Sequence, residues 1–256
     1  MTDPNYAEIT IRVVGESGLR RAVLGGREGE RAVSRPVMLD LFCGRVGGAA
    51  RGYQLAGWYV VGVDNVDCPD YAGDEFVKGD VFEIGAGMLA SGRFVAAHAS
   101  PVCRGRGSIA RGNMPSLAEK YPDQIPATRK LLNDAPIRAW VLENVSAKDV
   151  RPDVMLCGEM FGLGVIMHRY FEVSGLRAGQ PEHPSHRGYV RGWRHGVWRD
   201  GPYVAAYGKG GGKATAEEMR VAKGIDWSFD HLGLRDALPP AYTETIGRQL
   251  MAATRR

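Results

Sequence analysis

Short apolar runs alternate with helix-spaced stretches along much of the chain. Val37-Met38-Leu39-Asp40-Leu41-Phe42 is nearly continuous in apolar character, the pattern of a strand buried on both faces. Cys43-Gly44-Arg45-Val46-Gly47-Gly48 follows as a glycine-rich turn. Helical spacing then runs through Ala56, and Gly57 closes the helix. Tyr59-Val60-Val61-Gly62-Val63-Asp64 predicts a second strand with an acid at its end. Strand, glycine-rich turn, helix, strand and acid form the first half of a nucleotide-binding α/β unit. Lys78-Gly79-Asp80-Val81-Phe82 reads as a third strand end carrying another acid. Phe94 to His98 predicts a strand that stops at Ser100-Pro101, because proline cannot donate to a sheet ladder. A helix is expected over Ile125 to Asn133 and a strand over Ala139 to Val145. A short helix over Val154 to Phe161, closed by Gly162, and a strand over His168 to Val173 follow.

The flanks read differently. In residues 1–35, Glu8 to Val14 alternates like an edge strand and Gly25 to Arg31 is a charged, glycine-rich connector. No chemistry is assigned there. From about Ser174 apolar periodicity fades and Gly, Pro, His and Arg dominate. Pro239-Pro240-Ala241 can start a final helix, with helical spacing at Ile246, Leu250 and Ala253. The expected organisation is an N-terminal extension (1–35), a catalytic cofactor-binding domain (36–173), a recognition segment (174–235) and a C-terminal helix packing back on the catalytic domain (236–256).

Charge distribution changes the picture more than composition does. The formal net charge is +4. Between Gly175 and Lys223 nine basic residues face four acids, an excess larger than that of the whole chain. Tyr189, Trp193, Trp198, Tyr203 and Tyr207 interleave with them. Basic residues among aromatics fit a nucleic-acid surface, the alternative being a solvated insertion. Gly208 to Lys213 lacks the hydroxyl and the preceding strand of a phosphate loop and is rejected as one. The four cysteines form no CxxC pair, read as reduced thiols in a cytoplasm, and give no zinc site. His183 and His186 lack nearby cysteine partners and read as surface residues. No apolar run approaches the roughly 20 residues of a membrane span, and the first residues lack the features of a signal peptide.

Candidate chemistry gathers where predicted strands end, the edge at which open α/β sheets bind ligands. Asp64 can accept from two ribose hydroxyls, and Asp80 can receive an adenine amine. Cys103 sits just past the strand ending at Ser100-Pro101 and precedes a basic loop, which suggests a nucleophile with a polyanionic substrate. A buried, inert thiol is the commoner fate of a lone cysteine. Glu143, at the end of an apolar strand, can hold a raised pKa and act as an acid near neutral pH. Arg169 can orient a carboxylate bidentately. The bland alternatives are a turn aspartate, a solvated glutamate and a rim arginine.

Taken in order, these segments resemble the DNA (cytosine-5) methyltransferases, particularly small members of the kind carried by bacteriophages. Asp40 to Gly48 looks like their first motif, Pro101-Val102-Cys103 like their Pro-Pro-Cys nucleophile motif, and Glu143-Asn144-Val145 matches their Glu-Asn-Val motif. The resemblance spans roughly residues 37–250. It implies an α/β, Rossmann-like S-adenosylmethionine-dependent methyltransferase fold with a small, mostly irregular target-recognition domain. It implies Cys103, Glu143 and Arg169 as catalytic residues. Asp40, Phe42, Gly44, Gly47, Gly48, Asp64, Asp80, Pro101 and Thr243 would bind the cofactor. Double-stranded DNA would meet Arg104, Arg106, Ser108, Arg111, Arg191, Arg194 and Lys213. The expected activity is methyl transfer to carbon 5 of cytosine through a covalent bond to C6, with base flipping, by a cytoplasmic monomer using no metal. An RNA-acting relative and a catalytically weak DNA-binding relative are the alternatives. Val102 and Arg104 depart from the family's proline and glutamine, Asn65 from an aromatic, and the Gly-Asn of the last motif is absent.

Overall fold

The computed structural model describes residues 35–102, 122–206 and 214–254. Its centre is a seven-stranded sheet of order β3-β2-β1-β4-β5-β7-β6. The strands are β1 (Val37–Leu41), β2 (Tyr59–Asp64), β3 (Glu75–Lys78), β4 (Ala96–Ala99), β5 (Ala139–Asn144), β6 (Val154–Leu156) and β7 (Arg169–Ser174). Strands β1 to β5 run parallel, while β7 is antiparallel to both β5 and β6. This is the α/β, Rossmann-like fold expected from the sequence. Helices α1 (Gly48–Leu55), α2 (Val81–Ala90) and α3 (Ile125–Asp134) connect the parallel strands. Helices α4 (Ala216–Lys223), α5 (His231–Asp236) and α6 (Pro240–Thr254) follow the sheet.

The period of two along each strand sorts side chains onto two faces. Leu39, Leu41, Val61, Val63, Ala97, Ala99, Trp140 and Leu142 belong to one core with α2 and α3 residues. Met38, Val60, Ala96, Val141, Phe171 and Val173 form the other with α1 and α6. Helices α1 and α6 approach closely: a Cβ added at Gly52 would stand 2.1 Å from both the Pro240 carbonyl oxygen and Thr243 Oγ1. Thr243 Oγ1 donates to the Ala49 carbonyl at 2.8 Å, and Trp58 Nε1 donates to the Gly247 carbonyl at 3.0 Å.

The segment read as one helix over Val154 to Phe161 is instead β6 followed by a 3-10 turn over Gly158–Phe161. Only three residues pair with β7, too few to show an alternation in sequence. Asp80 does not end a strand; it caps α2, accepting from Phe82 N at 2.7 Å. Beyond β7 a two-stranded hairpin, β8 (Gly192–Arg194) and β9 (Val197–Arg199), turns at His195 and Gly196, both with positive φ. A third, smaller core holds Val165, Met167, Met219, Ala222, Ile225 and Leu234. The edge strand expected at Glu8 to Val14 lies outside the described residues. Among the described residues, no helix is long and apolar enough to cross a membrane.

Candidate active site

The face of the sheet that packs on α1 and α6 changes character towards its carboxyl end. Above Met38, Val60, Ala96 and Val141 the next residues on that face are Asp40, Gly62, His98 and Glu143. Register places Asp40 between Gly62 and His98. Because Ala99 pairs with Leu142, the following Ser100 falls beside Glu143. On the antiparallel side Glu143 pairs with Phe171. Arg169, two residues along, shares that face and reaches diagonally to Glu143.

Glu143 is 6% exposed. Arg169 Nε stands 3.0 Å from Glu143 Oε1. Burial raises the carboxyl pKa above its ordinary value, and the Arg169 charge and a hydrogen bond from the Ser100 hydroxyl offset part of that rise. The protonated acid therefore persists to higher pH than in a solvated glutamate. Behind it runs a buried polar chain. His98 Nε2 is 2.7 Å from Ser100 Oγ, and His98 Nδ1 is 2.9 Å from Tyr53 Oη. Burial pushes the His98 pKa down to about 3, so the ring is neutral. One directional assignment serves the chain: Tyr53 donates to Nδ1, Nε2–H donates to Ser100, and Ser100 donates to Glu143, whose Oε1 keeps no hydrogen-bond partner among the described residues. Tyr53, His98 and Ser100 carried no role in the sequence reading. A histidine inside an otherwise apolar strand was the available signal, since a buried polar group must find partners.

The glycine-rich end is built differently. Phe42 has φ 57 and Gly47 has φ 63, so the chain turns through the left-handed region on both sides of Cys43-Gly44. A Cβ at Gly47 would stand 2.5 Å from Tyr71 Cδ2, so only glycine fits there. Asp64 clamps the turn, accepting from Gly44 N at 2.9 Å and Val66 N at 3.2 Å. Asp40 is fully buried, and neither carboxylate oxygen has a hydrogen-bond partner among the described residues. Burial, reinforced by the charge of Asp64, raises its pKa well above the ordinary carboxylate range.

The structure thus brings Glu143 and Arg169 together, and gathers Asp40, Phe42, Gly44, Gly47, Gly48 and Asp64 at the turn. Asp80 is exposed at the head of α2. Thr243 is fully buried between α6 and α1, its hydroxyl bonded within the helix pair. Pro101 is buried and Val102 exposed. The N–H that valine has and proline lacks donates to Gln124 Oε1 at 3.2 Å. Cys103, Arg104, Arg106, Ser108, Arg111 and Lys213 lie outside the described residues, as does the side chain of Arg194.

The basic segment is more self-contained than its composition suggests. Arg191 is ion-paired with Glu218, Arg187 with Glu159, and Arg220 with Glu217. Lys223 is fully buried, its ammonium donating to the carbonyls of Leu234, Arg235 and Ala237 at 2.6, 3.2 and 2.8 Å. It caps the carboxyl end of α5 rather than a surface. Arg177 and Arg199 stay exposed, and so do aromatics: Trp193 and Trp198 stack edge to face across the hairpin, and Arg199 lies over Tyr189. A second expectation is corrected outright. His183 and His186 do have a cysteine neighbour, since folding brings Cys157 to them.

No family model matches the chain, and no curated protein matches it. Among solved structures the chain is similar to the S. pombe Dnmt2 methyltransferase, at 13% identity over 87% of this chain and 99% of that one, with TM-score 0.49. It is also similar to a 16S rRNA (adenine(1408)-N(1))-methyltransferase from Catenulisporales acidiphilia with cosubstrate SAM. There the identity is 15% over 54% of this chain and 70% of that one, with TM-score 0.30.

Proposed function

We propose that the chain is an S-adenosylmethionine-dependent methyltransferase acting on carbon 5 of cytosine in double-stranded DNA. The observation that carries this reading is the buried Glu143–Arg169 pair, set beside the Ser100-Pro101 strand end that leads into Cys103.

The turn residues fit the cofactor. Asp40 offers a buried carboxylate with both oxygens unpartnered among the described residues, complementary to an ammonium group. Asp64 accepts a backbone N–H on each oxygen and keeps lone pairs for ribose hydroxyls. When bound, S-adenosylmethionine supplies the activated methyl that C5 accepts.

Carbon 5 of cytosine is a weak nucleophile and must first be made electron-rich. Cys103, as thiolate, forms a bond to C6, and electron density moves to C5. Glu143 shares its proton with N3, which neutralises the charge that would otherwise build on the ring. Burial raises its pKa, so the acid form persists to higher pH than in a solvated glutamate. Arg169 fixes the carboxyl group in place. Loss of the C5 proton to a base then breaks the S–C6 bond and regenerates the thiolate. A cytosine inside a duplex does not expose C6, so the base flips out at a cost of a few kcal/mol. The Trp193–Trp198 hairpin offers aromatic surface to nucleic acid.

The test is covalent trapping. A duplex containing 5-fluorocytosine, incubated with the chain and S-adenosylmethionine, is expected to yield a protein–DNA adduct that Cys103→Ala does not form. An adduct with a 5-fluorocytosine-substituted transfer RNA alone would reassign the substrate to RNA. No adduct with either would overturn the reading.

A further inference from the structure

We propose that Cys157, His168, His183 and His186 bind one zinc ion in a closed, tetrahedral, structural site. One sulfur and three imidazole nitrogens lie within 4.8 Å of one another, and no two of the four residues are adjacent in sequence. They come from three segments. Cys157 follows β6, His168 immediately precedes β7, and His183 and His186 sit in the irregular stretch beyond β7.

The distances match the ion. A tetrahedral zinc with Zn–S about 2.3 Å and Zn–N about 2.05 Å holds sulfur and nitrogen about 3.6 Å apart, and two nitrogens about 3.3 Å apart. Cys157 Sγ and His186 Nε2 are 3.5 Å apart, and His168 Nε2 and His183 Nε2 are 3.3 Å apart. All three rings turn Nε2 inward, and their centroids lie 5.0 to 5.3 Å from one another. Three imidazoles pressed together around a buried thiol gain little from hydrogen bonding each other, since each pair of facing nitrogens offers at most one proton.

The ligand chemistry selects the metal. One thiolate and three neutral imidazoles in tetrahedral array suit zinc, and four protein ligands leave no open position for catalysis. Cys157 is fully buried, as a structural ligand should be. The surroundings are ordered by polar contacts: Glu159, two residues on, accepts from the Tyr203 hydroxyl and pairs with Arg187, the residue after His186. The ion would pin the irregular stretch beyond β7 to the sheet.

This site is independent of the proposed methylation, and its test does not use activity. The full chain, purified without chelator, should carry about one zinc per molecule by elemental analysis. Replacement by cobalt should give the intense visible bands of a tetrahedral ion and a thiolate-to-cobalt charge-transfer band. Cys157→Ser should abolish that charge-transfer band, while Cys68→Ser keeps it. His183→Ala and His186→Ala should each weaken cobalt affinity by well over tenfold, since losing a ligand costs more than losing a residue that only supports one, which costs about 10–100-fold. Should Cys157→Ser fail to fold, titration of the native chain with cobalt against a competing chelator gives the same reading. Zinc far below one per chain, an octahedral cobalt spectrum, or a charge-transfer band that survives Cys157→Ser or disappears in Cys68→Ser would overturn the proposal.

Discussion

The two faces of the central sheet are built from the same strands and behave in opposite ways. The α2–α3 face is apolar through Leu39 and Leu41, Val61 and Val63, Ala97 and Ala99, and Trp140 and Leu142, and becomes polar at Asn144 and at Glu172 of β7, which pairs with Arg129 of α3. The α1–α6 face is apolar only at its amino half, and then presents Asp40, His98 and Glu143 in neighbouring strands. Each of those three strands therefore carries a buried polar side chain one residue from a fully buried apolar one. One face supplies cohesion, which holds the polar groups on the other in place despite their desolvation cost. Within the polar half there is a second contrast. Glu143 has an ion-pair partner in Arg169, whereas neither oxygen of Asp40 has a hydrogen-bond partner among the described residues. A preorganised acid suits chemistry, and an unpartnered carboxylate suits a ligand that brings its own cation.

Substitutions that separate the faces should have separable effects. Glu143→Gln is expected to lower kcat by roughly 10²–10⁴-fold with cofactor affinity unchanged, because proton sharing matters only as the transition state forms. Single-turnover methylation with a parallel binding measurement checks this. On the other face Leu142→Ala should cost about 2–5 kcal/mol of stability in denaturant unfolding, with kcat per folded molecule nearly unchanged. Asp64→Ala removes charge-assisted hydrogen bonds of about 1.5–3 kcal/mol. Cofactor KM should rise about 10–100-fold with kcat held.

Two smaller effects concern protons. Ser100→Ala removes a hydrogen bond that lowers the Glu143 pKa. The alkaline limb of the kcat–pH profile, where the acid form is lost, should move to higher pH. The third strand of the polar row responds through stability. Asp40 has a folded-state pKa above its unfolded one. Its contribution to stability is complete below the unfolded pKa and is lost as pH rises through the folded one. In Asp40→Asn that loss is absent, so Tm of the ligand-free chain should fall less on going from acid to neutral pH. Thermal unfolding across that range checks this.

Much of the sheet was legible because strands buried on both faces write nearly continuous apolar runs, as in Val37 to Leu41, broken only by Asp40, and Ala139 to Leu142. The short edge strand β6 left no such trace. Glu143 and Arg169 were legible as candidates from their strand-end positions, and their pairing follows from the antiparallel register of β5 and β7. Other features depend on residues brought together from far apart. Arg191 meets Glu218 across 27 positions, and Cys157 meets His186 across 29. Lys223 reads as surface charge in any composition count, yet its ammonium is enclosed by three carbonyls. Charge counts locate a segment but do not say which charges are already used.

The close docking of α6 on α1 has a consequence for how the chain is made. Ala49 and Thr243 are 194 positions apart, and Trp58 and Gly247 are 189 apart. At a synthesis rate of about 5–20 residues per second, roughly 10–40 s separate the emergence of these partners from the ribosome. Throughout that interval α1 lacks the helix that packs at Gly52, and the Ala49 carbonyl lacks the Thr243 hydroxyl. The glycine-rich turn is among the earliest described parts of the molecule to be synthesised and among the last to be enclosed. The nascent chain therefore leaves the side of α1 that faces α6 uncovered longest, and a holding chaperone would have most to cover there.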